Sequence, residues 1–509
     1  MRDISRERCV AAPASPTLAP VDRDRAAATL AAALSVGLVA QYLFVREAIG
    51  VNVLAATLVT LTVAWRVARR RPRDIWAPAG ALVFAGLCAV RTDVPLVAFD
   101  LIAALTLLGA SALAFRGVRV WDLPLIALAN VAFALSEALL LAAASIARVG
   151  APAARGLIPA RGSRAIASAG GVALAVPLVV VFGALFASAD AVFRHLVENA
   201  IDLPELRRMW GELPVRLALA AVVAWLCAGW LASFDRAAPA SAAAPKGRLA
   251  ADAATAMVLT LDALFALFVV VQIAYLFGGR DTLDAAGVAY SEYGRAGFFE
   301  LVAVAAMVAT LLFTLDLVVS RRSVRYVLAA VTLVMLTGVV LASAWLRMDL
   351  YQRAYGWSEL RFYAFAGIAY TGVALALLAL AIARGSMQVT LQRLAFAGLL
   401  MAFAVNVMAP SDFVARRNFE RVIDPSSLPE DASRGLDVAY LVWLGEGAVP
   451  VTFELLPSLP EPEASAVREA LRVATTRRAP LAGWQSWNLD RERARSVIVR
   501  AGGGAIGLR

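Results

Sequence analysis

Polar and apolar residues along this chain fall into long blocks instead of the short alternation of a soluble domain. Twelve apolar runs occupy residues 26–45, 49–68, 75–90, 94–115, 121–147, 164–188, 213–234, 253–277, 297–319, 324–346, 360–383 and 389–409. A helix needs roughly 20 apolar residues to cross a hydrocarbon layer about 30 Å thick, and most of the runs are of that order. An open sheet edge cannot face lipid, so all twelve read as helices. The predicted fold is all-α: a polytopic transmembrane helix bundle of about eleven to thirteen spans, with a small helical C-terminal region outside the bilayer. The run 75–90 is short and closed by Asp74 and Arg91, which suits a re-entrant or non-crossing helix.

The blocks divide the chain into four parts. Residues 1–25 carry Pro13, Pro16 and Pro20 among alternating Arg and Asp and read as a disordered arm. A cleaved signal peptide ending near Leu38, Val39 and Ala40 is the alternative, weakened by the apolar run that follows at once. Residues 26–147 form N-terminal spans and 148–409 a transmembrane core. Within that core, 189–212 reads as an amphipathic interfacial helix, with Phe193, Leu196, Val197 and Ile201 against Arg194, Glu198, Arg207 and Arg208, followed by a short second helix. Residues 410–509 mix apolar and charged positions at helical spacing between prolines, the pattern of several short packed helices.

Composition agrees with the pattern: 61% of the 509 residues are hydrophobic and the mean hydropathy is +0.73. The net charge of +10 does not mark a nucleic-acid domain, because residues 410–509 hold 13 Arg against 13 Asp plus Glu. The excess lies in short loops between apolar runs, as the positive-inside bias requires. Arg69, Arg70, Arg71 and Arg73 place the second loop, and with it the N-terminus, in the cytoplasm of a cell (inner) membrane. Basic loops at Arg155 to Arg164, Arg236 to Arg248, Arg321 to Arg325 and Arg384 to Arg393 leave the tail outside, one crossing out of phase with the first half. The bilayer is the expected partner, with a protein partner at the tail as a further expectation. Three cysteines (Cys9, Cys88, Cys227) and one histidine, His195, build neither a disulfide framework nor a metal cluster, and no cofactor motif is present. His195 reads as an interfacial side chain.

Acids inside spans are costly and need partners or water. Glu137, which shares a face with Asn130, and Asp262 and Asp316 are of this kind. Asp316 is expected to pair with Arg321 or Arg322. Glu292, Arg295 and Glu300 in EYGRAGFFEL form either a proton or ligand site or an ion-pair network at a helix start. In RMDLYQRAYGWSELRFY, 347–363, the aromatic residues suit a loop at the headgroup level, and Arg347, Arg353 and Arg361 could reach lipid phosphates. Asp412 could cap the helix carrying Asn418, and Trp484 and Trp487 could pack before a helix starting near Asn488.

In order, SADAVF (188–193), EYGRAGFFEL (292–301), YQRAYGWSELRFY (351–363), NVMAPSDFVARRNFERV (406–422), DVAYLVWLGEGAVP (437–450) and WQSWNLDRERA (484–494) resemble the bacterial membrane family called domain of unknown function 4173, a relative of 4153. The likeness covers about residues 165–495. It implies a layout without a known activity, and draws attention to Asp190, Glu292, Tyr293, Arg295, Glu300, Tyr355, Gly356, Arg361, Asp412, Asn418, Asp437, Tyr440 and Asn488. The family has an acid before Ala-Val-Pro where this chain has Gly447. Three functions stay open: a transporter or channel-like protein using intramembrane acids, a sensor or scaffold binding a partner through its tail, and an enzyme on a lipid-linked envelope substrate.

Overall fold

The computed structural model describes residues 23–72, 74–119, 204–235, 249–277, 298–428, 435–476 and 483–501. The apolar runs among them are helices: α1 (Arg23–Phe44), α2 (Val51–Val67), α3 (Trp76–Leu87), α4 (Val94–Phe115), α5 (Pro204–Ala232), α6 (Ala251–Phe277), α7 (Phe298–Val318), α8 (Val324–Tyr355), α9 (Glu359–Arg384) and α10 (Thr390–Met408). Eight of these are long and apolar enough to cross a membrane; α2 and α3 are shorter. The runs 121–147 and 164–188 lie outside the described residues. The long helices are largely apolar all round, and large side chains such as Met307 (69% exposed) and Met335 (66%) are mostly uncovered by protein, as expected of lipid-facing surface. The chain is a multipass helical membrane protein.

Two boundaries differ from the sequence expectation. Residues 204–212 do not form a separate short helix; they continue into α5. Residues 347–355 are not a headgroup loop, because α8 runs on for 32 residues to Tyr355 and only Gly356, Trp357 and Ser358 separate it from α9. Gly356 makes this turn possible with φ of 82°, a left-handed value that strains any residue with a Cβ. Ser358 then caps α9 by accepting from the Arg361 N–H at 3.3 Å.

Contacts divide the chain into two units. In the first, Met1–Val45 with Thr62–Arg69 and Ala134–Asp235, α1 and α5 pair closely. Small residues make this approach possible: Ala33, Ala40, Ala220, Ala224 and Ala228 are buried, and a Cβ at Gly37 would run into the Ala220 carbonyl. Arg216 bonds Gln41 at 3.0 Å and Glu212 at 2.7 Å beside them.

The second unit contains the rest. One apolar core joins α6, α7, α8 and α9 around Val258, Leu312, Leu333 and Ile382. The α6 side chain Gln272 reaches α8, accepting from Ser343 at 2.7 Å and Arg347 at 3.1 Å. The tail supplies a second core from α11 (Pro410–Ile423), α12 (Val438–Trp443), α13 (Val449–Leu455) and α14 (Glu461–Thr476), followed by α15 (Leu489–Ala501). Val414, Phe419, Val451 and Val467 of the tail pack with Leu96 of α4, Phe362 of α9 and Val405 of α10. No linker intervenes: Ala409, at φ 52°, turns the end of α10 directly into Pro410, the first residue of α11.

Candidate functional site

The tail is joined to the helix ends through buried polar groups. Asn488 caps α15 by accepting from Asp490 N–H at 3.0 Å, and its amide donates to the carbonyls of Cys88 (3.1 Å) and Arg91 (2.9 Å) in the α3–α4 turn. The Leu489 N–H donates to Ala89 O at 2.8 Å. Two residues upstream, Ser486 donates to Glu47 at 2.5 Å and accepts from the Ala48 N–H at 2.9 Å. The WQSWNLDR string is therefore the segment that docks on the α1–α2 and α3–α4 turns. Its tryptophans stand just before α15 and stay partly open, Trp484 57% exposed and Trp487 44%.

Beneath this contact lies a cluster of acids. Asp93 precedes α4, Glu359 opens α9 and Ser411 is in the first turn of α11, and all three are buried. The Ser411 hydroxyl lies at hydrogen-bond distance from both carboxyl groups, 2.8 Å from Glu359 Oε1 and in close contact with Asp93 Oδ1. A hydroxyl has one hydrogen, so it cannot donate to both. If Ser411 bonds both, one acid donates a proton to the serine oxygen. The two carboxyl groups thus share one hydroxyl within a buried pocket.

On one side of the pair, the Glu359 N–H donates to the Tyr440 hydroxyl at 2.8 Å. Arg91 lies in the adjoining turn, ion-paired to Asp490 at 3.2 Å and donating to the Asn406 carbonyl at 2.8 Å. The Asn406 amide donates to Asp100 at 3.0 Å, two turns into α4, and Asp100 is fully buried. Asp100 Oδ2, Asp490 Oδ2 and the Tyr363 hydroxyl are buried with no hydrogen-bond partner among the described residues. Burial pushes the Asp490 carboxyl up to about 6, with Asp93 adding to the shift and Arg91, the Thr92 N–H and Arg493 opposing it. Gly447 faces this cluster: a Cβ there would lie 3.1 Å from Ser411 Cβ and 3.5 Å from Asp490 Oδ2.

A second feature adjoins the first. Tyr355, Gly356, Trp357, Ser358, Arg361, Asn418, Arg421, Gly435, Leu436, Asp437 and Tyr440 line a cavity of ≈ 290 Å³. Asn418 shapes it by bonding both the N–H (2.8 Å) and the carbonyl (2.9 Å) of Trp357. Arg421 donates to the Arg353 carbonyl at 2.7 Å and the Ala354 carbonyl at 3.3 Å, where α8 ends. Burial, and then the neighbouring Arg361, hold Arg421 below the usual guanidinium range. Arg361 donates to the Gly356 carbonyl and stacks on Tyr351, 4.3 Å from the ring centroid.

The structure thus brings Tyr355, Gly356, Arg361, Asn418, Asp437 and Tyr440 together, and places Asn488 at the neighbouring junction. Other expected residues are elsewhere. Asp412 does not cap α11; Ala409 holds that position, and Asp412 lies in the first turn, 3.9 Å from Arg416. Arg353 pairs with Asp349 at 2.8 Å and Arg347 with Gln272, so neither joins Arg361. Glu300 is exposed at the start of α7. Asp316 pairs with Arg322, and Asp262 is buried with both oxygens lacking hydrogen bonds among the described residues. Glu137, Asp190, His195, Glu292, Tyr293 and Arg295 lie outside the described residues. Sequence reasoning missed Asp93, Asp100, Glu359, Ser411 and Asp490. The first two flank or enter an apolar run; the others sit in strings already singled out.

These observations define an all-helical membrane protein whose tail closes over a buried acid network. The chain belongs to the family named domain of unknown function 4153, whose pattern matches residues 79–455 and so begins inside α3. No curated protein and no solved structure matches it.

Proposed function

We propose that the protein is a proton-linked membrane transporter or channel-like protein, with Asp93 and Glu359 as its proton-binding pair. The observation that carries this reading is the single Ser411 hydroxyl placed between two buried carboxyl groups. The Tyr440 hydroxyl, which lines the cavity, accepts from the Glu359 backbone N–H, and a separate polar chain of Arg91, Asn406 and Asp100 runs from the α3–α4 turn into α4. Such a chain of ionisable and amide groups at the mouth of a helix bundle is suited to taking up protons.

The sidedness that accompanies this reading puts the tail outside the cell membrane. The ends of α3, α8 and α10 and the starts of α4 and α9 adjoin the tail, while their opposite ends carry Arg116, Arg119, Arg322, Arg325, Arg384 and Arg393. The basic ends belong in the cytoplasm of a bacterial inner membrane. The N-terminal arm goes there too by the basic loop at Arg69, Arg70, Arg71 and Arg73. The four-part division at residues 25, 147 and 409 and kinship with family 4173 rest on the sequence strings alone.

The test is proton flux in vesicles containing the full chain and a trapped pH-sensitive dye, driven by an imposed membrane potential. Wild type should acidify the lumen at least tenfold faster than Glu359→Gln. Equal rates would remove the proposal. A sensor whose tail seating responds to protons is the second reading, favoured by the fact that the pair is shared between span ends and tail.

A further inference from the structure

The cavity beside the acid pair has a charge pattern that the proton reading does not use. Its two cationic side chains, Arg361 and Arg421, come from different helices and lie near enough to repel. Bringing guanidinium groups together in a partly buried recess costs energy that an anion offsets. Among the described residues Arg361 makes no ion pair; its contacts are the Gly356 carbonyl and the Tyr351 ring. Stacking on Tyr351 fixes the plane of its fork, and the carbonyls of Arg353 and Ala354 fix that of Arg421. The Ser358 and Tyr440 hydroxyls add two donors on the same wall. Asp437 is the only acid among the lining residues. Its side chain accepts from the Tyr440 N–H at 2.9 Å, which leaves it capacity to receive a cationic or hydroxyl group.

The position of the cavity narrows the ligand further. It opens where α8 ends and α9 begins, beside Tyr355, which is 50% exposed, and Trp357, the kind of residues that lie at the headgroup level. The volume of ≈ 290 Å³ suits a phosphate with a short polar substituent and is too small for a folded partner.

We propose that this cavity binds a phosphate group, with Arg361 and Arg421 as a bidentate clamp, Ser358 and Tyr440 as hydroxyl donors, and Asp437 receiving the polar substituent of the ligand. The phosphate belongs to a phospholipid headgroup or to a soluble phosphorylated compound.

The test uses the purified full chain in a phosphate-free, non-ionic detergent, and follows Trp357 fluorescence against a Trp357→Phe control. Inorganic phosphate, glycerol 3-phosphate and short-chain phosphatidylglycerol are titrated separately. Saturable quenching by at least one probe is expected, with Arg361→Gln weakening it at least tenfold. Tyr440→Phe should weaken it several-fold while leaving the arginines in place. Response to all three probes identifies the phosphate itself; response to the lipid alone identifies a headgroup, and to the first two alone a soluble ligand. No saturable response in wild type overturns the proposal, as does unchanged binding in a folded Arg361→Gln protein. If that variant does not fold, Tyr440→Phe decides. The inference is separable from proton linkage: Glu359→Gln should lose proton flux and keep phosphate binding.

Discussion

Single residues carry much of the contact between tail and spans, and Asn488 is the clearest case. Its side chain satisfies two carbonyls of the α3–α4 turn and caps α15, all in a site where it is 1% exposed. Asn488→Ala removes a cap and leaves two acceptors without that partner, a loss of roughly 2–4 kcal/mol. The expected result is tail cleavage by added protease under conditions where wild type is protected. Gly356→Ala tests the turn below the cavity, since the left-handed φ and an Asn418 oxygen 2.9 Å from the new Cβ both oppose it. A loss of roughly 1–3 kcal/mol is expected, read as a lower unfolding temperature in detergent.

Asp490 gives the residue scale its pH dependence. Its folded-state value of about 6 exceeds the ordinary carboxyl value of 3.8, so the folded protein binds the proton more tightly. Its contribution to stability is fully present below pH 3.8 and is lost as pH rises through about 6. The charged and donor groups facing it are Arg91, Asp93, the Thr92 N–H and Arg493. Tail protection should therefore weaken from pH 5 to pH 7, and Asp490→Asn should flatten that slope. Residues of this kind were only half legible in the sequence. Asn488 stands in a recognisable string, but Asp93 reads as a loop residue before a span. Only the return of Ser411 and Glu359, more than 250 positions away, gives it a role.

At the scale of elements, apolar length predicted helices well and their ends poorly. The reason is that α8 and α5 extend beyond the apolar stretch using charged residues that find partners. Arg353 pairs with Asp349 one turn earlier, and Arg216 with Glu212. Hydropathy alone stops where these begin. The close α1–α5 approach depends instead on small residues, and Gly37 is the tightest point. Gly37→Leu should separate the pair and lower the unfolding temperature of the detergent-solubilised protein, whereas Leu34→Ala, at a 57% exposed position, should not.

For the whole molecule, the sequence revealed the class and the tail but not the junction that unites them. Membrane character follows from block hydropathy, a local property. The acid network needs three turns and two tail helices to meet, so its members lie scattered through the chain. The sidedness argument has a direct check in intact cells with an impermeant thiol reagent. Ser465→Cys in the tail should label and Ser320→Cys at the basic end should not. The reverse pattern would place the tail in the cytoplasm. Above all stands the claim that Asp93 and Glu359 share a proton. Infrared spectroscopy of the purified protein across pH 5 to 8 should show a protonated-carboxyl band that persists at neutral pH and vanishes in both Asp93→Asn and Glu359→Gln. A spectrum in which neither substitution alters any such band would contradict the account.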